Sequence, residues 1–214
     1  MNKAVMISIQ PYYVFLIIAK KMGWDIPQEK RIEVRKDYPK DPAWNKTAYI
    51  YCSKNKKSFK RIPKEYQPLM EKFLGKVIGE FVCDRIEEIP CYIEAEIYDE
   101  YLEDDNFLNG CKLTYDELFN YLNGSDGYAW HISNLVIYDK PKELGEFYAY
   151  NAELHKRFEN GENYCCYDGT NDSGEALTDC PANNIKNCYR CWEEWSGWCH
   201  KLTHPPMSWF YVEA

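Results

Sequence analysis

The chain is poor in histidine, with four in 214 residues, and no apolar run approaches the ~20 residues that a membrane-crossing helix requires. The N-terminal stretch "AVMISIQPYYVFLIIAKK" comes nearest, and Gln10 and Pro11 break it. Nothing reads as a targeting segment, so the expected setting is a reducing cytoplasm. There is no internal repeat and no long linker. Lys and Arg are missing from Glu87 to Asp105, where nine acids fall.

What is present is segregated charge. From Lys20 to Lys64 there are fourteen Lys/Arg against five Asp/Glu, on a chain whose net charge is −8. The overall sign argues against a general DNA-coating protein, while segregation of this kind either builds a positive face that would favour a polyanion or is a plain solvated charged surface. Apolar residues make up 45% of the chain, enough for one sizeable core, or for one domain with a large insertion, and too many for global disorder. Nineteen tyrosines and seven tryptophans supply packing area, and also flat faces on which bases stack.

Periodicity and punctuation predict the elements. "AVMISI" (4–9) is a β-branched run suited to a buried strand, and Pro11 opens a helix through "YYVFLIIAKKMG". "RIEVRK" and "AYIYCS" (48–53) read as strands, and "KNKKSFKRIPK" as an exposed basic loop. A short helix in "PKEYQPLMEKFLGK" ends at Gly75, and "KVIGEFVCDRIEEI" is a strand in which Gly79 marks a bulge or a close backbone approach. Thr114 and Glu117 form a capping-box pattern ahead of "LFNYLNG". "GYAWHISNLVIYD" (127–139) and "PPMSWFYVEA" supply later strands. Strands early, midway and last imply a mixed, partly closed sheet of α+β class.

In "EKRIEVRK" (29–36), alternation turns Ile32 and Val34 one way and Arg31, Glu33 and Arg35 the other. A charged surface strand would look like this. So would the wall of a pocket that grips an anion, because the planar fork of Arg35 can make two hydrogen bonds to one anionic group. Tyr49, Tyr51, Trp130 and Trp209 are candidates for base stacking or for the core. His131, in "AWHIS", is the histidine best placed for a cleft.

Six of the ten cysteines lie between residues 165 and 199. Cys188 and Cys191 form a C-x-x-C whose spacing lets two thiolates share one tetrahedral zinc. Cys165, Cys166, Cys180, Cys199, His200 and His204 are candidates for the remaining positions. Residues 159–190 hold few aliphatic side chains and many Asn, Asp and Gly, a composition that needs a staple to fold. A structural zinc is therefore expected, with free thiols or disulfides as the alternatives. Catalytic zinc is disfavoured, since no H-x-E accompanies the C-x-x-C as it does in zinc deaminases. Trp192, Trp195 and Trp198 are expected to pack around the metal. Cys52 and Cys83 sit in apolar runs and read as core residues.

The succession "AVMISIQPYYVFLI", "KRIEVRK", "AYIYCS", "GKVIGEFVCDRI" resembles the ASCH family, which has a PUA-like β-barrel and a G-x-K-x-x-E-x-R hallmark. Lys30, Glu33 and Arg35 match its last three fixed positions, and Gln28 stands at the glycine. "YAWHISNLVIYDKPKELGEF" and "PPMSWFYVE" look like later parts of ASCH proteins common in bacteriophages and their hosts. The resemblance implies a PUA-like mixed barrel with flanking helices over residues 1–150. It also implies that the Cys-rich stretch, 151–203, for which the cysteine spacing suggests zinc, is an insertion, and that 204–214 is a strand that returns to the barrel.

By that resemblance the expected function is binding of RNA, a nucleotide or a modified base in a cleft containing Lys30, Glu33 and Arg35. Arg31 and the basic residues Lys54, Lys56, Lys57, Lys60 and Arg61 would extend the phosphate contacts. One branch of the family deacylates N4-acetylcytidine with a Thr, a Lys and a Glu. Here the lysine is Lys30, Glu33 stands at the threonine, and Glu80 matches the glutamate. An amidohydrolase or nuclease using Lys30, Glu33 and Glu80 is thus the enzymatic alternative, with Glu33 as a base on water. A protein-interaction module using residues 87–105 and the Trp-rich tail is the third.

Overall fold

The computed structural model describes residues 3–26, 29–90, 105–147 and 205–213. In chain order the elements are β1 (Lys3–Ile9), α1 (Pro11–Ile18), β2 (Ile32–Arg35), β3 (Trp44–Cys52), α2 (Lys56–Phe59), α3 (Gln67–Glu71) and β4 (Val77–Ile89). There follow α4 (Asp105–Cys111), α5 (Tyr115–Leu122), β5 (Gly127–Lys142), a 3-10 turn (Leu144–Glu146) and β6 (Trp209–Glu213). The six strands form one mixed sheet in the order β2-β5-β4-β3-β1-β6. β1 runs parallel to β3, and the other pairs are antiparallel. The fold is α+β.

Alternation along β1 explains why it lies inside. Val5, Ile7 and Ile9 enter one apolar cluster with α1, β3 and β4, while Ala4 and Met6 enter another with Tyr51, Val77 and Val212. Helix α1 is buried on all sides from Val14 to Ile18, which is why "VFLII" is apolar without a polar face. It ends at Ile18, earlier than the sequence suggests, and tight turns carry the chain to Gly23 at φ +68°. Ile32 and Val34 of β2 pack on Phe107, Cys111, Leu118 and Leu122 of α4 and α5.

The sheet is curled but open. Three register shifts between β4 and β5 bend it. One falls between Val77 and Gly79, where a Cβ on Gly79 would stand 2.1 Å from the Val136 carbonyl oxygen. The close backbone approach expected there is present. Among the described residues β2 and β6 end the strand order and share no ladder, so the closed barrel is not reached by backbone pairing. A side chain bridges part of the way instead: Arg35 Nη2 on β2 donates to the Ser8 carbonyl on β1, at 2.7 Å. The stretch expected as a basic loop contains α2, capped by the Asn55 side chain accepting from Ser58 N. Helix α5 carries the expected capping box, with the left-handed position taken by Asn123 as well as Gly124.

Candidate functional site

The polar face of β2 turns inward. Glu33 and Arg35 are 6% and 7% exposed, and Lys30, in the turn before the strand, is 3% exposed. Alternation sends these side chains to the face opposite Ile32 and Val34, under the start of α1. Arg35 Nη2 lies 2.9 Å from Glu33 Oε1, and Lys30 Nζ lies 3.3 Å from Glu33 Oε2. Lys30 Nζ also donates to the Cys111 carbonyl at 2.7 Å and faces the Tyr13 ring at 5.0 Å. Three polar side chains thus form one chain of contacts, with the carboxylate between two cations.

This group is the floor of a cavity of about 650 Å³. Ser8, Gln10 and Tyr13 border it from β1 and α1, Asn55, Lys57, Ser58 and Arg61 from the α2 region, and Leu113, Glu117, Asn120 and Tyr121 from α5 and the turn before it. Four lining cations (Lys30, Arg35, Lys57, Arg61) face two carboxylates (Glu33, Glu117), so the cavity is positive on an acidic chain. Focusing by low-dielectric walls strengthens that field. Two buried floor atoms have no hydrogen-bond partner among the described residues: Glu33 Oε2 and Arg35 Nε. One is an acceptor and the other a donor, on neighbouring side chains.

Arg61 stands at the mouth. Its guanidinium lies 4.1 Å from the Tyr12 ring centroid, and Nη1 is 3.5 Å from the Tyr13 hydroxyl. Nη2 lies 3.6 Å from Glu117 Oε1. Burial raises the Tyr13 hydroxyl above the ordinary phenol range and keeps it protonated. Tyr12 and Tyr13 occupy the first turn of α1, set there by Pro11. Tyr13 and Tyr121 line the cavity, and neither was among the stacking candidates of the sequence. A Pro-Tyr-Tyr at a helix start, which aims its second tyrosine off the helix end, was the available signal.

Other candidates go elsewhere. Tyr51 and Trp130 are buried, Tyr49 packs on Phe147 and Trp209 on Trp130, so these four build the core. Glu80 is apart from Lys30 and Glu33: it accepts from the Tyr138 hydroxyl at 2.5 Å and sits opposite Tyr49 in the β3–β4 ladder. Lys54, Lys56 and Lys60 are exposed, and of the basic run Lys57 and Arg61 line the cavity. The Lys54 chain packs over Gly75.

Arg31 precedes β2 and borders a second cavity of about 730 Å³ with Arg85, Glu87 and His131. There His131 Nδ1 is 3.2 Å from Arg85 Nη2, and Nε2 is 2.8 Å from Glu87 Oε2. A guanidinium only donates, so Nδ1 accepts and Nε2–H donates to Glu87. Cys52, Cys83 and Cys111 are buried thiols, and no group of three His, Cys, Asp or Glu is arranged to hold a metal among the described residues. The zinc candidates Cys165, Cys166, Cys180, Cys188, Cys191, Cys199, His200 and His204 lie outside the described residues. Most of the acidic segment does too.

Comparison with solved structures finds ASCH proteins. The chain is similar to the crystal structure of ASCH from Zymomonas mobilis, with a TM-score of 0.41 and 15% identity over 77% of this chain and 83% of that one. Two single-substitution mutants of the same protein give TM-scores of 0.41 and 0.40 at 15% identity, over 66% and 77% of this chain and 74% and 86% of theirs. No protein-family model and no curated protein matches the chain. No helix among the described residues is long and apolar enough to cross a membrane.

Proposed function

We propose that the chain binds a nucleotide or nucleic acid, RNA foremost, with a base seated in the cavity over Glu33 and Arg35. The observation that carries this is the buried Lys30–Glu33–Arg35 floor of a positively lined cavity, in which Arg35 Nε has no hydrogen-bond partner among the described residues and Glu33 Oε2 is ion-paired to Lys30 at 3.3 Å without a hydrogen bond. A buried donor without a hydrogen-bond partner is costly, and the ion-paired carboxylate oxygen beside it can still accept, so a ligand that presents an acceptor next to a donor suits both. The edge of a nucleobase, with N–H next to C=O or ring nitrogen, has that pattern. Tyr13 and Tyr121 offer ring faces to the base, and the net positive lining suits its phosphate.

A hydrolase in the same cavity draws less support. Lys30 is held by Glu33, the Cys111 carbonyl and the Tyr13 ring, and Glu80 is bonded to Tyr138 outside the cavity. Binding is the better reading. We further propose that the curled sheet is a PUA-like barrel of ASCH type, with residues 151–203 as a zinc-stapled insertion before β6. Zinc content of the purified chain, measured against variants of Cys188 and Cys191, tests the staple. A sample without stoichiometric zinc and with disulfides in that segment rules it out.

The binding test is a titration with single-stranded RNA and with ribonucleotides, comparing wild type with Arg35→Lys. Lysine still faces Glu33 with a positive charge but lacks the Nε–H and the fork. The expected loss is about tenfold to a hundredfold, the worth of one charge-assisted hydrogen bond. Equal affinity in a folded Arg35→Lys variant would remove the floor from the site.

A further inference from the structure

We infer that the cavity mouth is a phosphomonoester subsite, in which Glu117 is a built-in competitor that a ligand's terminal phosphate displaces from Arg61. This rests on the nucleotide reading above and deepens it. The geometry has three parts. First, Arg61 is held by its face: Tyr12 lies under the guanidinium at 4.1 Å and the second tyrosine ring is 5.5 Å away. A cation fixed through its π face keeps most of its edge available for a planar or tetrahedral anion, although one Nη1 donor reaches the Tyr13 hydroxyl at 3.5 Å.

Second, Glu117 is divided between two tasks. Its Oε2 accepts from Thr114 N at 3.0 Å, closing the capping box of α5. Its Oε1 reaches toward Arg61 and stops at 3.6 Å, an ion pair beyond hydrogen-bond range. The helix cap fixes the carboxylate where it neutralises Arg61 without saturating its donors. Third, the floor and the mouth differ. Arg35 is neutralised at 2.9 Å by a buried carboxylate, whereas Arg61 and Glu117 are both over 40% exposed and their contact is easily exchanged. Lys57, also at the mouth, has no carboxylate within ion-pair distance among the described residues.

The occupant follows from charge. A phosphomonoester carries about −1.5 to −2 at pH 7, against −1 for a carboxylate or a phosphodiester. A dianion therefore outcompetes Glu117 at Arg61 and gains Lys57, while an internal phosphodiester competes on equal terms. The site would thus select a nucleoside monophosphate, or the phosphorylated end of a strand, over an internal nucleotide.

The test uses the full chain, titrated by calorimetry with the four ribonucleosides, their 5′-monophosphates, the methyl esters of those monophosphates, and inorganic pyrophosphate. Wild type is compared with Glu117→Gln and Arg61→Gln. Glutamine at this position still completes a capping box, so Glu117→Gln removes the charge and keeps the helix start. The expected result is a monophosphate bound about tenfold or more tighter than its nucleoside, with the methyl ester between them. Glu117→Gln should widen the monophosphate-to-nucleoside ratio about twofold to fivefold, and Arg61→Gln should collapse it. If monophosphate and nucleoside bind equally, or the ratio ignores Glu117→Gln, the competitor role is wrong although the base site stands. If no nucleoside or nucleotide binds but pyrophosphate does, and tightens in Glu117→Gln, the mouth is an anion site and the nucleotide reading fails. Binding of none of the probes overturns both.

Discussion

Arg35 Nη2 lies 2.9 Å from Glu33 Oε1 and 2.7 Å from the Ser8 carbonyl oxygen, so the same guanidinium joins two strands that are not neighbours in the sheet and neutralises a buried carboxylate. Stability and ligand recognition therefore meet in one side chain. Its Nε–H has no hydrogen-bond partner among the described residues.

Arg35→Ala should destabilise the chain by up to about 3–5 kcal/mol, because it takes from buried Glu33 the nearer of its two cations, leaving Lys30 at 3.3 Å, and removes the bond to the Ser8 carbonyl. Pairing it with Glu33→Gln should recover part of the loss. Urea unfolding of the two single variants and the double variant gives the coupling. Simple additivity would mean that the pair does not act as a unit.

Lys57 and Arg61 line the cavity, whereas Lys56 and Lys60 lie on α2 or just after it without lining it. Neutralising Lys57 or Arg61 should weaken RNA binding at low salt and lower the salt slope by about one unit for each phosphate contact removed. Lys56→Ala and Lys60→Ala should change it far less. Equal effects from all four would indicate a diffuse positive surface instead of a site.

Gly79→Ala should cost roughly 1–3 kcal/mol, since its Cβ would meet the Val136 carbonyl oxygen at 2.1 Å and backbone cannot swing aside as a side chain does. Thermal unfolding measures this. Thr114→Ala should cost about 1 kcal/mol through loss of the α5 cap, and it should also loosen the placement of Glu117.

Burial pushes the Cys52 and Cys83 thiols up to about 12. From the unfolded value near 9 to about 12, the unfolded chain has lost these protons and the folded chain has kept them. Stability should accordingly fall with rising pH across that window, by about 1.4 kcal/mol per pH unit for each thiol. Denaturant melts between pH 8 and pH 10.5 would show the onset, and Cys52→Ala should about halve it, leaving the Cys83 share. In the native state at pH 8 both thiols should resist alkylation.

The order and type of most elements were legible because each depends on near neighbours in sequence. Alternation marks β1 and β2, Pro11 marks the start of α1, and Thr114 with Glu117 marks α5. Alternation also placed Glu33 and Arg35 on one face. It could not say that this face is buried, because burial depends on α1, α2 and α5 coming over it from residues up to about ninety positions away. Helix α2 was hidden for a related reason: its four residues are too few to show a period, and its cap and its contact with Tyr12 hold it.

Local spacing encodes the alphabet of the site: a Lys, a Glu and an Arg placed so that a turn and a two-residue repeat deliver them together. The partners they meet beyond one another come from the packing of distant segments. The curl of the sheet brings Ser8 to Arg35 and buries Glu33 between two cations, sends Glu80 to Tyr138, and sets Arg61 against Glu117 across the mouth. Apart from the local Lys30–Glu33–Arg35 contacts, those pairings join residues far apart in the chain. Their geometry follows from register, bulges and packing, and no local spacing encodes it.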